Sequence, residues 1–231
     1  MVSLPSARSP GGLLLLGIRC LAGFAFHLFQ VVWQPSLKRR FPDFTTADLS
    51  KFMTFVGILY AVSQGYVAQR ALAFAHARNR TPSALILCCA VLCSGRLVAV
   101  STTSLALIYA AYAAVIVALG VFNAALTSAV QRVAGPTERG GFYGLLSAVE
   151  SVCGILGPIA GGLIATWGGS QAPEFLVCVI VVLLYAAAAG CIATYWRDVL
   201  LLAGETMKKD PPTATPSSQT NAHALAAKKT D

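Results

Sequence analysis

Six long apolar runs, separated by short polar segments, follow one another along most of the chain. They cover residues 12–33, 52–72, 83–100, 104–127, 141–167 and 174–196. A helix needs about 20 apolar residues to cross the hydrocarbon core of a bilayer. Because the runs show little alternation of period two, they predict helices rather than the strands of a barrel. The sequence therefore predicts an all-α membrane domain of six transmembrane helices over residues 12–197.

The segments outside this domain are polar. Residues 1–11 form a short N-terminal segment, and residues 198–231 contain prolines and serines without apolar periodicity. Such a composition is typical of a disordered tail. The first apolar run carries Arg19 and His27 and, at about 22 residues, exceeds the core of a signal peptide. We therefore expect it to be retained as a membrane span.

Composition narrows the class of protein further. Hydrophobic residues make up 56% of the 231 residues and charged residues 11%, with a mean hydropathy of +0.69. A soluble domain carries roughly 25% charged residues, so lipid is the expected surrounding of most of this chain. The net charge of +8 resides almost entirely between the apolar runs, which argues against a nucleic-acid-binding face. The seven cysteines form no CxxC pair, so neither a metal site nor a cofactor is expected.

The distribution of Lys and Arg between the runs predicts the orientation of the domain. If the N-terminus lies in the cytoplasm, that side holds eleven basic residues and the opposite side holds four. The four all lie near the first loop, and they are Lys38, Arg39, Arg40 and Lys51. Because cytoplasmic loops carry an excess of Lys and Arg, both termini are expected in the cytoplasm.

Four ionisable side chains lie inside the apolar runs, where each costs about 2.5–3.5 kcal/mol at the centre of a span. They are Arg19, His27, Arg96 and Glu150. Arg96 lies close enough to the predicted outer end for its long side chain to reach the headgroups. Glu150 lies near the bilayer midplane and is too short to reach either surface. It is expected to face a water-filled cavity, to pair with a cation or to be protonated, the alternative being a packing hydrogen bond.

Small and polar residues recur at helical spacing on four of the six predicted spans, and the third and sixth spans are expected at the periphery. The stripes include Cys20, Gly23, His27, Gln30 and Gln34, then Gly57, Tyr60 and Gln64, then Gly120, Asn123 and Thr127, then Tyr143, Ser147 and Gly154. One such stripe is typical of packing between helices. Four stripes together with a midplane glutamate favour a shared aqueous pathway. Its candidate residues are Glu150, His27, Gln30, Tyr60, Gln64, Asn123, Ser147 and Arg19.

A glycine pattern marks the fifth span. It reads Arg139-Gly140-Gly141-Phe142-Tyr143-Gly144 and later Gly157-Pro158-Ile159-Ala160-Gly161-Gly162. This resembles the eleventh helix of major facilitator superfamily transporters. The chain over residues 12–197 resembles the C-terminal six-helix half of that superfamily, with drug:proton antiporters and organic-cation-transporter-like members as the nearest subfamilies. The expected packing or hinge residues are Gly144, Gly157, Pro158, Gly161 and Gly162, since small residues let helices approach and proline removes a backbone hydrogen bond.

The resemblance implies a secondary active transporter in which two six-helix halves rock about a midplane site. It implies a small organic solute, a cation being favoured, whose movement is coupled to protons with Glu150 as counter-ion or proton carrier. Besides the bilayer, a homodimer partner or a separate N-terminal six-helix half is expected, because one half forms only one wall of such a site.

The sequence is also compatible with a second function. The chain would then be a non-transporting membrane protein, which includes a receptor, an assembly partner or a truncated fragment, and would associate through its glycine-rich helix faces. An intramembrane enzyme is not expected. The only Gly-x-Ser sequence, Gly168-Gly169-Ser170, has no histidine in a neighbouring span, and no His-Glu-x-x-His motif occurs.

Overall fold

The structure is a computed structural model that describes residues 5–167 and 173–209. All its described elements are helical: α1 (Pro5–Arg8), α2 (Pro10–Arg40), α3 (Thr46–Val62), a π turn (Ser63–Val67), α4 (Ala68–Ala77), α5 (Thr81–Ser101), α6 (Leu105–Val133), α7 (Arg139–Trp167) and α8 (Pro173–Lys209). The expectation of an all-α chain is confirmed for this part of the sequence.

Five of these helices are long and apolar enough to cross a membrane. They are α2, α5, α6, most of α7, and α8 from Glu174 to Arg197. This agrees with an integral membrane protein. The second predicted span, 52–72, falls on α3, the π turn and α4, which follow one another without a loop but do not form one regular α-helix. The count of six spans therefore stays a prediction.

The ends of the first long helices follow local capping signals. The Ser9 hydroxyl precedes α2 and accepts a hydrogen bond from the Gly12 amide at 3.0 Å. Thr45 precedes α3 and forms a reciprocal capping box with Asp48. Both arrangements satisfy backbone amides that the first turn of a helix leaves without partners. Helix α2 therefore begins two residues before its apolar run, whereas α3 begins at Thr46, six residues before the run at 52–72.

The last helix is longer than expected. The sequence predicted that the domain ends at 197, but α8 continues to Lys209. Residues 199–203 read Val-Leu-Leu-Leu-Ala and no proline occurs before Pro211, so nothing in this stretch stops a helix. The remaining tail from 210 onwards, residues 1–4 and the Gly-x-Ser sequence at 168–170 lie outside the described residues.

Helices α2 and α6 each pack against most of the other described helices. Helix α2 packs most extensively against α7 and α8, and α5 packs against α6 and α8. The buried face of α2 includes Leu15, Ile18, Ala22, Ala25 and Leu28, which recur at the steps of three and four that one helix face requires. Helix α8 buries one face and exposes large apolar side chains such as Leu183 on the other. This is typical of a helix between protein and lipid.

The basic residues near the first loop have local partners. Arg39 Nη2 donates to Glu174 Oε2 at 2.5 Å, and Arg40 Nη1 donates to the Thr102 carbonyl oxygen at 2.8 Å. Lys51 lies 3.1 Å from an Asp48 carboxylate oxygen. Part of this positive charge is therefore neutralised locally. Two of the four basic residues are paired with carboxylates in this way, and the orientation of the domain stays a prediction.

Candidate functional site

A cavity of about 340 Å³ lies between α2, α3, α6 and α7, with Arg96 as the contribution of α5. This volume is at the lower end of the range that is typical of small-molecule sites. Its walls are mostly apolar and include Phe26, Phe29, Phe52, Met53, Val56, Val115, Ile116 and Leu119. Helices α2, α3 and α6 form most of its lining, and α7 contributes only Glu150. All four of these helices carry polar stripes in the sequence, whereas α5 does not.

Hydrogen bonds between side chains connect these helices at one part of the cavity. Arg19 Nη1 donates to Asn123 Oδ1 at 2.6 Å, and Arg19 Nη2 donates to Glu150. Asn123 Nδ2 donates to Tyr60 Oη at 2.9 Å, and Gln64 Nε2 donates to the same oxygen at 2.7 Å. We call Arg19, Tyr60, Gln64, Asn123 and Glu150 the polar cluster. All five were among the candidate pathway residues of the sequence.

The π turn belongs to the local structure that positions this cluster. It begins three residues after Tyr60 and contains Gln64. Ser63 is fully buried, and its Oγ donates to the Val117 carbonyl oxygen at 3.0 Å. Gly120 lies opposite, where a Cβ would overlap the Ser63 side chain. π turns inside helices are rare and frequently occur at functional sites. The π turn therefore supports the polar cluster as a candidate functional site.

Glu150 is paired with a cation, which is one of the three outcomes that its depth predicted. Its side chain keeps 48% of its surface accessible, against 18% for Arg19. The two charges cancel, so the polar cluster as a whole is close to neutral. Glu150 is therefore not a free counter-ion for a cationic solute in this arrangement, because Arg19 already pairs with it.

The other predicted pathway residues lie in different places. Gln30 lines the cavity, whereas His27 and Ser147 are not among its lining residues. His27 lies against α7, where a Cβ on Gly154 would be 3.5 Å from its Cε1 atom. Ser147 is exposed, and its carbonyl accepts a hydrogen bond from Ser151. The small residues of α7 bring that helix onto His27, so this side chain packs between helices instead of facing the cavity.

Two of the predicted packing glycines bring α7 close to α2. A Cβ on Gly157 would lie 2.6 Å from the Cβ of His27 and 3.2 Å from the Leu28 amide nitrogen. A Cβ on Gly161 would lie 3.2 Å from the Leu28 carbonyl oxygen. Helix α2 of the same chain therefore occupies this GxxxG face. This face is therefore not free for contact between two chains, and a homodimer itself stays a prediction.

The remaining residues of the glycine pattern are less constrained. Gly144 and Gly162 have no heavy atom of another segment within 4 Å of a built Cβ, so close packing does not explain them. Pro158 lies inside α7, which continues through it to Trp167. Its missing amide leaves one backbone bond of this helix unmade, as a hinge requires.

The sequence placed Arg96 wrongly. It was expected to extend to the headgroups, but it is 2% exposed and lines the cavity. Its guanidinium carbon lies 4.7 Å from the ring centroid of Tyr185 and 5.3 Å from that of Phe29. Aromatic faces at such distances attract a cation. Depth along one helix gives no information about ring partners on other helices, and so the sequence had no signal for this position.

A separate polar group lies at the predicted cytoplasmic end of the bundle. His76 Nδ1 is 2.7 Å from Thr81 Oγ1, and its Nε2 is 2.8 Å from Arg132 Nη2. Because arginine can only donate, Nε2 accepts and Nδ1 carries the ring proton. Burial, followed by the charge of Arg132, lowers the pKa of His76 below its ordinary value. The ring is therefore neutral at pH 7, and it ties α4 to α5 and α6.

The described residues contain no group of three His, Cys, Asp or Glu side chains that could hold a metal ion. No protein-family model, curated protein or solved structure matches the chain. A functional assignment therefore depends on the cavity and the polar cluster themselves.

Proposed function

We propose that the chain is a proton-coupled secondary transporter of a small organic solute, or one six-helix half of such a transporter. The observation that carries the proposal is the polar cluster beside an apolar cavity, with side-chain hydrogen bonds that link α2, α6 and α7. Ionisable residues within membrane-spanning segments generally mark ion and solute pathways. The resemblance to one half of a major facilitator superfamily transporter supports the same function.

Glu150 is the proton site in this proposal. As a carboxylate it binds Arg19 and so joins α7 to α2. A proton on Glu150 removes its negative charge and weakens this contact between two helices. Alternating access requires helices whose contacts change between two arrangements, and this ion pair is a contact that a proton can change.

A second protein surface belongs to the proposal. The cavity is a groove that is open on one side, since about half of the Glu150 side chain remains accessible. Helix α7 also directs large apolar side chains outward, and these include Val152, Ile155, Leu156, Ile159 and Leu163. A second copy of the chain or an N-terminal six-helix half would close the groove, with both termini in the cytoplasm.

The same exposed face favours the second candidate function, a non-transporting membrane protein that associates with a partner. Helix α7 is the least buried of the five candidate spans. A receptor or an assembly partner needs such a face but does not need the polar cluster. The two functions therefore differ in what a change at Glu150 would do.

Uptake into proteoliposomes separates the two functions. The purified chain is reconstituted, a pH gradient is imposed, and radiolabelled 2-naphthalenesulfonate or (2-naphthylmethyl)trimethylammonium is added. These probes carry permanent charges and do not follow a pH gradient through lipid. We expect saturable uptake of one probe that stops with a protonophore and with Glu150→Gln, but not with Glu174→Gln. Uptake of neither probe above that of protein-free vesicles would favour the non-transporting function.

A further inference from the structure

Two buried polar groups of the cavity lack a hydrogen-bond partner among the residues that the structure describes. They are Nη1 of Arg96 and the hydroxyl of Tyr112. Arg96 is 2% exposed and Tyr112 is 6% exposed, and both line the cavity. More than nine in ten buried polar groups in proteins have a partner. The partner of such a group is ordered water or a ligand, and these two groups line the same cavity.

The charges that face the cavity leave one positive charge in excess. Arg19 and Glu150 neutralise each other. Within the described part of the chain, Arg96 forms no ion pair. Its contacts with the rings of Phe29 and Tyr185 stabilise the charge but leave the Nη1 hydrogens without an acceptor. An anion would supply both the charge and the acceptor.

We propose that the cavity binds an organic monoanion whose carboxylate or sulfonate group contacts Arg96 and Tyr112. This inference rests on the proposed function, since it takes the occupant to be the transported solute. A guanidinium group and a phenol hydroxyl both donate, and an oxyanion with two or more oxygens accepts from both. Hydrogen bonds between a guanidinium group and an oxyanion are among the strongest in proteins.

The rest of the cavity fits an apolar body on this anion. Near Arg96 and Tyr112 the wall is formed by the rings of Phe29 and Phe52 and the side chain of Val115. The ring of Tyr112 is held by Phe52 and Trp33, with centroid distances of 5.0 Å and 4.4 Å. The hydroxyl therefore has a fixed support, and an aromatic or aliphatic body would meet apolar surface. A second charged group would meet no partner on this wall.

Protonation of Glu150 and binding of the anion should support each other. With a proton on Glu150, the charge of Arg19 is no longer cancelled, and the positive charge that faces the cavity rises from one to two. Opposite charges attract more strongly beside apolar walls than in bulk water. By linkage, the proton then favours the anion as much as the anion favours the proton. The pair would cross the membrane together, without net charge.

Equilibrium binding to the purified chain in lipid nanodiscs tests the inference. Three probes share one naphthalene body, and signals from empty nanodiscs are subtracted: 2-naphthalenesulfonate, 2-naphthalenemethanol and (2-naphthylmethyl)trimethylammonium. We expect the sulfonate to bind at least tenfold more tightly than the alcohol and the ammonium to bind most weakly. Arg96→Gln should lower the sulfonate affinity about tenfold to hundredfold, and Tyr112→Phe about threefold to tenfold. The affinity for the alcohol should stay within about twofold in both variants.

Arg78→Gln is the matched control. The Arg78 guanidinium carbon also lies over an aromatic ring, 3.9 Å from the Phe74 centroid, but it is exposed and outside the cavity. This variant should bind all three probes as the wild type does. If Arg96→Gln does not fold, the sulfonate affinities of Arg96→Lys and Tyr112→Phe test the inference instead. An affinity that is unchanged in both variants overturns it.

Sulfonate that binds no more tightly than the alcohol, or that binds Arg96→Gln normally, also overturns the inference. These readouts need no flux, so they are independent of the proposed function. Sulfonate binding without uptake would support the anion site and contradict the transporter. Saturable uptake of the ammonium probe alone would support the transporter and contradict the anion site.

Discussion

The ion pair between Arg19 and Glu150 should contribute to stability, and a double-mutant cycle measures by how much. Arg19→Gln leaves a carboxylate in the groove without a cation, whereas Glu150→Gln leaves Arg19 with its hydrogen bond to Asn123. We therefore expect Arg19→Gln to be the more destabilising single change. The double variant should lose less stability than the two single variants together.

The expected coupling free energy follows from the exposure of the pair. Hydrogen bonds to charged groups contribute about 1.5–3 kcal/mol when buried, and fully exposed ion pairs about 0–1 kcal/mol. Arg19 is 18% and Glu150 48% exposed, so water screens the pair partly. A coupling of about 1–2 kcal/mol is expected, which corresponds to roughly 2–8 °C in Tm for a chain of this length.

Thermal unfolding in nanodiscs, followed by tryptophan fluorescence, gives the four values of the cycle. The control cycle uses the exposed pair Lys51 and Asp48, with Lys51→Gln and Asp48→Asn. That pair is 3.1 Å apart, 76% and 38% exposed, and three residues apart on one helix, so its coupling should stay below about 0.5 kcal/mol. A coupling at the polar cluster that is no larger than in the control cycle would refute the reasoning.

Three further predictions concern packing, pH and topology. Gly157→Ala should lower Tm, because a new Cβ would lie 2.6 Å from the His27 Cβ. Gly154→Ala is the control, since its new Cβ would lie 3.5 Å from the nearest His27 atom, and it should leave Tm unchanged or raise it. Equal effects of the two variants would contradict the close packing of α7 on α2. Unfolded chains bind a proton on His76 more readily than folded ones, since folding lowers the pKa of His76. Stability should therefore fall as the pH drops below about 6.5, and His76→Gln should weaken that fall when Tm is measured from pH 8 to pH 5. An unchanged pH profile would contradict a neutral His76 ring in the folded chain. Asn79-Arg80-Thr81 is an N-glycosylation sequence in a loop that is expected to be cytoplasmic, so Asn79 should carry no glycan. Asp43→Asn creates such a sequence on the opposite side of the membrane, and this variant should be glycosylated. If the wild-type chain shows a glycosidase-sensitive gel shift and Asp43→Asn adds none, the orientation is the reverse of the predicted one.

The helices of this fold could be predicted from the sequence. The length of an apolar run and the length of the helix that it forms are both set by the thickness of the bilayer that the helix crosses. The run 83–100 predicted a helix that the structure gives as Thr81–Ser101. The π turn could not be predicted, since its tertiary neighbours, such as Gly120 beside Ser63, lie on another helix. Its residues are otherwise compatible with a regular α-helix.

The polar cluster was predictable in its members but not in its pairing. Arg19 and Glu150 were selected as ionisable side chains inside apolar runs, where they need partners, and Asn123 was selected by its spacing in a polar stripe. Which of them meet depends on the rotation of each helix about its axis, and one sequence does not give that rotation. The same reason explains His27, which shares a stripe with Gln30 but faces α7.

The movement of protons with the solute tests the central claim most directly. The chain is reconstituted into liposomes that contain a trapped pH-sensitive dye, without an initial pH gradient, and 2-naphthalenesulfonate is added outside. If Glu150 carries a proton with the anion, the interior should acidify with saturable dependence on the sulfonate, without any need for a membrane potential. The signal should disappear with Glu150→Gln and persist with Glu174→Gln, whose carboxylate pairs with Arg39 outside the groove. No acidification by the wild-type chain, or equal acidification by Glu150→Gln, would contradict the claim.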